Sequence, residues 1–236
     1  MSKEKEIREL ISLIPSWQDP PEDFIDFCIT HGRVRRYAAK QFVYFSYDEA
    51  VNVFFLLKGR IQILITGEFS EKIFRVIKPP AFFPEVVFDE KAYPHAALAI
   101  EATEVLILDR QTLQRYLESH PTLLWNFYRA LALDLRRAYR QIRNLALGDA
   151  RLRLGAKLFA LAHAHGSAEK DAVLITIPLS ATDLAAMCSL ARESVSRILG
   201  ELRELEIIQI DKKTIKVSNL ESLKEWIHDR STSRER

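Results

Sequence analysis

The sequence predicts an α+β chain: an N-terminal β-sandwich of jelly-roll type over residues 1–120, a long dimerisation helix over 121–147, and a C-terminal winged helix-turn-helix over 148–236. Three observations carry that prediction. Short apolar runs broken by turn residues fill the first 120 positions, as in an antiparallel sandwich. A 4-3-4-3 apolar spacing then runs from Leu124 to Leu145, and the stretch 179–226 reads as two short helices, a tight join and a β-hairpin.

After a short helical start, strands are expected at 41–45, 51–58, 60–66, 72–77, 96–101 and 104–108. They are rich in branched and aromatic residues and separated by pieces such as Lys58-Gly59-Arg60 and Thr66-Gly67-Glu68. In the long helix, Leu124, Tyr128, Leu131, Leu135, Ala138, Ile142 and Leu145 form a coiled-coil seam, which predicts a homodimer. The alternative is that this stripe packs on the sandwich of its own chain. Arg136, Arg137, Arg140 and Arg143 beside Ala138 suit a narrow exposed seam better. Leu147-Gly148-Asp149 is the expected hinge, and 149–161 the first helix of the last domain.

In that domain Ser180 stands as an N-cap before Asp183-Leu184-Ala185-Ala186-Met187, and a second cap-like position near Leu190-Ala191 precedes the next helix. There Val195, Ile198, Leu199 and Leu202 recur at helical spacing and face inward, leaving Arg192, Glu193, Ser196 and Arg197 outward. Those side chains suit base edges and phosphates: arginine is bidentate to guanine, and glutamate accepts from cytosine. The bland alternative is a solvated face with i,i+4 charge pairing. Leu205, Ile207, Ile208 and Ile210, then Ile215 and Val217, flank the turn Asp211-Lys212-Lys213-Thr214 and predict a hairpin with lysines at its tip.

Asp183-Leu184-Ala185 followed by Arg192-Glu193-Ser194-Val195-Ser196-Arg197 resembles the bacterial Crp/Fnr (cyclic AMP receptor/fumarate-nitrate reduction) family of transcription regulators. Phe55-Leu56-Leu57-Lys58-Gly59-Arg60-Ile61-Gln62-Ile63 is similar to a hairpin of that family's cyclic-nucleotide-binding-like effector domain. The resemblance implies double-stranded DNA as partner, an inverted repeat of TTGA-type half-sites, a small-molecule effector, and RNA polymerase as a further contact. It implies DNA contacts by Ser180, Thr182, Arg192, Glu193, Ser194, Ser196, Arg197 and Lys213. Ser189 stands where the family usually has a turn glycine, a position needing positive φ.

The effector site departs from the cyclic-nucleotide pattern of Gly-Glu followed by Arg-Ser. Glu85 is present, but Pro84 replaces the glycine and Pro94-His95-Ala96 stands where Arg-Ser would be. A cyclic phosphate would lose its bidentate arginine and a backbone N–H. The expectation is therefore an effector other than cyclic AMP, lodged near Phe82, Phe83, Glu85, His95, Leu131 and Leu135. The aromatic lining, with Val86, Phe88 and Tyr93, suits a small organic molecule, and the wing looks like that of the family's halophenol-sensing branch. The same aromatics are equally readable as sandwich core. His95 as a haem ligand, in the manner of the family's gas sensors, is a further alternative to an otherwise cofactor-free chain; a constitutive binder without ligand is another.

Net charge is +2 and the chain is 48% apolar, enough for two cores, with basic residues concentrated: 129–153 holds seven arginines against two aspartates, and the tail 230–236 is basic. The two cysteines, Cys28 and Cys188, are too few for an iron–sulfur cluster or a zinc site, so no metal is expected and both read as core residues. There is no glycine-rich phosphate loop, no Gly-x-Ser-x-Gly and no clustering of the six histidines, which argues against an enzyme. No apolar run approaches ~18 residues and no signal-peptide core is present, so the expected location is cytoplasmic, without a membrane.

Overall fold

A computed structural model of the chain describes residues 3–15, 17, 20–67, 71–170 and 172–229, without the side chain of Glu85. The chain divides into two compact units, Met1–Ala138 and Tyr139–Arg236. The first opens with α1 (Lys3–Ser12) and α2 (Glu22–His31). Eight strands follow: β1 (Arg33–Tyr37), β2 (Phe42–Tyr44), β3 (Asn52–Lys58), β4 (Ile61–Thr66), β5 (Glu71–Ile77), β6 (Ala81–Phe83), β7 (Ala96–Ala99) and β8 (Thr103–Asp109). They form two antiparallel four-stranded sheets, ordered β1-β8-β3-β6 and β2-β7-β4-β5. Then come α3 (Arg110–Ser119) and α4 (Leu124–Leu147), and the division between the units falls inside α4.

Strand β3 is buried from Val53 through Leu57 without alternation, because it is covered on both faces. Trp17 meets the Phe55 ring at 5.7 Å on one side, while Phe54 stacks on Phe83 at 5.3 Å on the other. Two strands escaped the sequence reading. β1 is RVRRY with only Tyr37 buried, so it lacks the apolar alternation that marks a strand. β6 is three residues long and follows Pro79-Pro80.

Helix α4 is seated on the first unit by Asn126, Phe127 and Ala130, all buried. The Phe127 ring lies 5.1 Å from Trp17, 5.0 Å from Phe82 and 5.7 Å from Phe88. The seam residues therefore do not pack on their own sandwich. Leu124, Tyr128, Leu131, Leu135, Ala138, Ile142 and Leu145 are all exposed, with Tyr128 at 63% and Ile142 at 60%.

The second unit holds α5 (Ala150–His165), β9 (Gly166–Glu169), β10 (Ala172–Ile175), α6 (Ala181–Cys188), α7 (Arg192–Glu204), β11 (Ile208–Asp211), β12 (Thr214–Val217) and α8 (Leu220–His228). Its sheet runs β11-β12-β10-β9, so the expected two-stranded wing is half of a four-stranded sheet. Leu205 is not a strand residue; it caps α7 and is 54% exposed. The expected break near Gly148 is present, with Asp149 capping α5 through Leu152 N–H at 2.8 Å. Gly155 lets α5 and α8 approach closely, since a Cβ there would lie 2.5 Å from Ile227. Both cysteines are buried, and burial pushes the Cys28 thiol well above its ordinary pKa.

Phe127 carries the contact between α4 and the aromatic cluster, so Phe127→Ala should destabilise the first unit by about 3–5 kcal/mol. Denaturant unfolding of the full chain checks this, and a loss below about 1 kcal/mol would show that the cluster does not hold the helix.

Candidate nucleic-acid interface

Helix α6 begins in a reciprocal cap. Ser180 Oγ accepts from Asp183 N–H at 3.1 Å, and the Asp183 carboxylate accepts from Ser180 N–H at 2.7 Å and from its hydroxyl at 2.5 Å. The helix ends at Ser189, which adopts the left-handed conformation at φ 53 that the sequence position demanded. A non-glycine residue there costs about 1 kcal/mol. Arg153 Nη1 donates to the Ser189 carbonyl at 3.2 Å and ties the turn to α5.

That turn delivers α7 with its faces sorted. Val195, Ile198, Leu199 and Leu202 are buried, while Arg192, Glu193, Ser196 and Arg197 are exposed. Among the described residues none of those three charges forms an ion pair, so the i,i+4 pair Glu193–Arg197 is not made. Ser194 is half-buried at the edge of the packed face and does not join the outward group. The helix is braced from behind: Arg151 lies over the Trp226 ring at 4.2 Å, and Trp226 Nε1 donates to Glu201 at 3.0 Å.

The residues expected to hold phosphates are gathered by one backbone bond, Leu179 N–H to the Lys213 carbonyl at 2.7 Å. It brings the β11–β12 turn beside the start of α6, where Thr182 and Lys213 are exposed. Ser180 differs from expectation in that its hydroxyl proton is held by Asp183. Sequence reasoning missed Gly200 and Arg203, which with Ser196, Leu199 and Ile210 line a groove of about 200 Å³ between α7 and β11. Their signal was available, because both fall near the outward side of the helical wheel.

In the first unit, the residues expected around an effector separate into different places. Phe82 and Phe83 lie on opposite faces of β6, at 5% and 0% exposure, packed into the two aromatic clusters. In this arrangement they are core. The side chain of Glu85 lies outside the described residues. Leu131 and Leu135 are exposed on the seam side of α4. At 100° per residue the same helix that faces the sandwich with Phe127 and Ala130 does so next with Asp134. Asp134, the only acid of α4, accepts from Arg75 of β5 at 2.5 Å and also from Arg137.

His95 is half-buried with its Nδ1 3.3 Å from Tyr44 Oη. Burial, reinforced by Arg75 and opposed by Asp134, lowers its pKa to about 4. Tyr93 is fixed by its hydroxyl, which donates to the Asn52 carbonyl at 2.7 Å and accepts from Asn52 N–H at 3.2 Å; burial pushes its pKa to about 12. Among the described residues no group of three or more His, Cys, Asp or Glu could hold a metal, and no helix is long and apolar enough to cross a membrane.

Because the His95 pKa falls from 6.5 to about 4 on folding, its contribution to stability is complete above pH ~6.5 and is lost as pH falls toward 4. Comparing urea midpoints of the chain and His95→Gln from pH 7.5 to 4.5 should show a shallower acid loss in the variant. Parallel curves would mean that His95 keeps an ordinary pKa.

Residues 152–226 match the Crp-like helix-turn-helix domain and residues 34–120 the cyclic nucleotide-binding domain. The chain is 30% identical over 166 residues to the anaerobic regulatory protein of Bacillus subtilis strain 168, covering 69% of this chain and 70% of that protein. It is 25% identical over 219 residues to the cAMP-activated global transcriptional regulator CRP of Haemophilus influenzae, covering 90% and 97%. Its backbone is similar to that of a CooA mutant from Carboxydothermus hydrogenoformans, with TM-score 0.74 at 22% identity over 92% and 95% of the two chains.

Proposed function

The chain belongs to the Crp/Fnr family of DNA-binding transcription regulators, and on that premise we propose that it reads an inverted-repeat operator as a homodimer under the control of a small-molecule effector. The observation that carries this reading is the sorting of α7. One face is locked into the domain core, while Arg192, Glu193, Ser196 and Arg197 are exposed, with no ion pair to another described residue, and available to the major groove. Thr182 and Lys213 meet the flanking phosphates, with Ser180 positioning α6. The Glu193-x-x-Ser196-Arg197 pattern makes a TTGA-type half-site with its inverted copy the operator to test.

Two recognition helices require two chains, and the exposed stripe of α4 supplies a surface for joining them. Phe127, Ala130 and Asp134 are turned to the sandwich, so Leu124, Tyr128, Leu131, Leu135, Ala138, Ile142 and Leu145 remain for a partner helix. The effector acts between sandwich and α4, where the Arg75–Asp134 bond ties the two together. Asp134 keeps Arg137 when Arg75 lets go, so the tie can open without orphaning the carboxylate. An effector that binds the opened arrangement better shifts the population of reader states, and operator affinity follows by linkage. Cyclic AMP does not fit that role, because Pro84 and the Pro94-His95-Ala96 segment offer neither the phosphate arginine nor the backbone donor.

Fluorescence anisotropy of the full chain on the inverted TTGA duplex and on a scrambled one tests the reading, each with and without cyclic AMP and a halophenol panel. Preference for the operator is expected, with no response to cyclic AMP; equal affinity for both duplexes would sink it. Arg197→Ala should cost about 1–3 kcal/mol on the operator and relax one base position. A uniform loss on every sequence would remove Arg197 as a base reader. Leu135→Glu with Ile142→Glu should yield a monomer by sedimentation and abolish the advantage of two half-sites over one, whereas an intact dimer would displace the seam from this stripe.

A further inference from the structure

Gly200 sits near the centre of the outward face of α7, one turn beyond Ser196 and opposite the buried row Val195, Ile198, Leu199 and Leu202. Nothing inside the molecule asks for a glycine there. A Cβ built at Gly200 meets no atom within 4 Å, and the backbone is ordinary helix. Glycine in a helix interior costs about 0.5–1 kcal/mol relative to alanine, so the position gives up stability with no internal return. Where packing and backbone both accept a side chain, the reason for having none lies outside the molecule.

The ground beside Gly200 indicates what approaches. The groove lined by Ser196, Leu199, Gly200, Arg203 and Ile210 runs between α7 and β11 and shares Ser196 with the outward face of α7. Leu199, Ile210 and the bare Gly200 backbone make an apolar floor. Ser196 offers a hydroxyl at one rim and Arg203 a guanidinium at the other, both exposed. None of the three acids of this helix lines the groove: Glu201 is held by Trp226, Glu204 projects to the other side of Gly200, and Glu193 lies two turns earlier at the start of the helix.

We propose that this groove seats the sugar-phosphate chain of one DNA strand, with deoxyribose against Leu199, Gly200 and Ile210 and a phosphate on Arg203. Gly200 is the clearance that lets the strand come to the helix backbone, and Ile210 is the wing's contribution to the same seat. The inference rests on α7 entering the major groove, yet it concerns the DNA backbone, so it applies to any sequence.

Two substitutions in the full chain test it, both read by anisotropy on the inverted TTGA duplex and on the scrambled duplex. Gly200→Ala should weaken binding to both about tenfold while leaving the thermal midpoint equal or higher, a combination that misfolding does not produce. Arg203→Gln should lower the slope of log affinity against log salt by about 0.9 on both duplexes. Unchanged affinity in Gly200→Ala, or an unchanged slope in Arg203→Gln, would overturn the proposal, as would a loss confined to the operator, which would make the contact a base edge. Failure of the parent chain to prefer its operator is a separate result: it removes the base-reading assignment, while the scrambled duplex still reports on the groove.

Discussion

Phe127 settles the rotation of α4, and the rest of the molecule's surface logic depends on that rotation. With its ring among Trp17, Phe82 and Phe88, the helix cannot turn about its axis without opening an aromatic cluster. Ala130 and Asp134, three and seven residues along from Phe127, then face the sandwich, which is why Ala130 is buried and Asp134 reaches Arg75. Everything on the opposite side must face away. A stripe that reads as one amphipathic helix therefore contains two apolar faces with different destinations, one used within the chain and one left exposed.

The reader obeys a parallel constraint set from two ends. The Ser180–Asp183 cap starts α6, and the left-handed Ser189 stops it, so the direction in which α7 departs is fixed over very few residues. Leu199 and Leu202 then anchor α7 inward while Trp226 holds Glu201 from behind. A recognition surface gains from such bracing, because base contacts discriminate only when the donor and acceptor positions are held to hydrogen-bond tolerance. Among the described residues Arg192, Glu193 and Arg197 form no ion pair, so no internal bond would have to break before they met an outside partner.

How much could be read beforehand follows from where periodicity is strong. The two-faced α7, the regular apolar stripe of α4, the helix start at Ser180 and the positive φ at Ser189 were legible, since each rests on local spacing or one residue's conformational range. β1 was not, because an exposed edge strand such as RVRRY needs no alternation when its neighbour supplies the pairing. β9 and β10 escaped for a related reason: they are four residues each, and they enter the winged sheet through long-range pairing of β10 with β12, to which β9 adds as the edge strand on β10. Leu131 and Leu135 were assigned to both seam and effector site, and the structure places both on the exposed side of α4, apart from the buried Phe82 and Phe83. Asp134 stood out as the only acid in an arginine-rich helix, yet its partner Arg75 lies 59 residues earlier, a pairing no local pattern reveals.

The sensing region shows what the sequence's departures amount to physically. Phe82 and Phe83 fill the two sides of β6, Tyr93 is saturated by Asn52, and burial keeps His95 neutral at physiological pH. None of these groups is arranged to meet a doubly solvated phosphate, which requires fixed donors and a paired cation. The polar contact between β5 and α4 is of another kind, one carboxylate shared by two arginines, Arg75 across the contact and Arg137 on the same helix. An ion pair that is still about a quarter exposed on each side contributes about 1 kcal/mol, small beside the aromatic cluster a few residues away. Of the two attachments of α4 to the sandwich, the ion pair is thus the weaker and the Phe127 cluster the stronger.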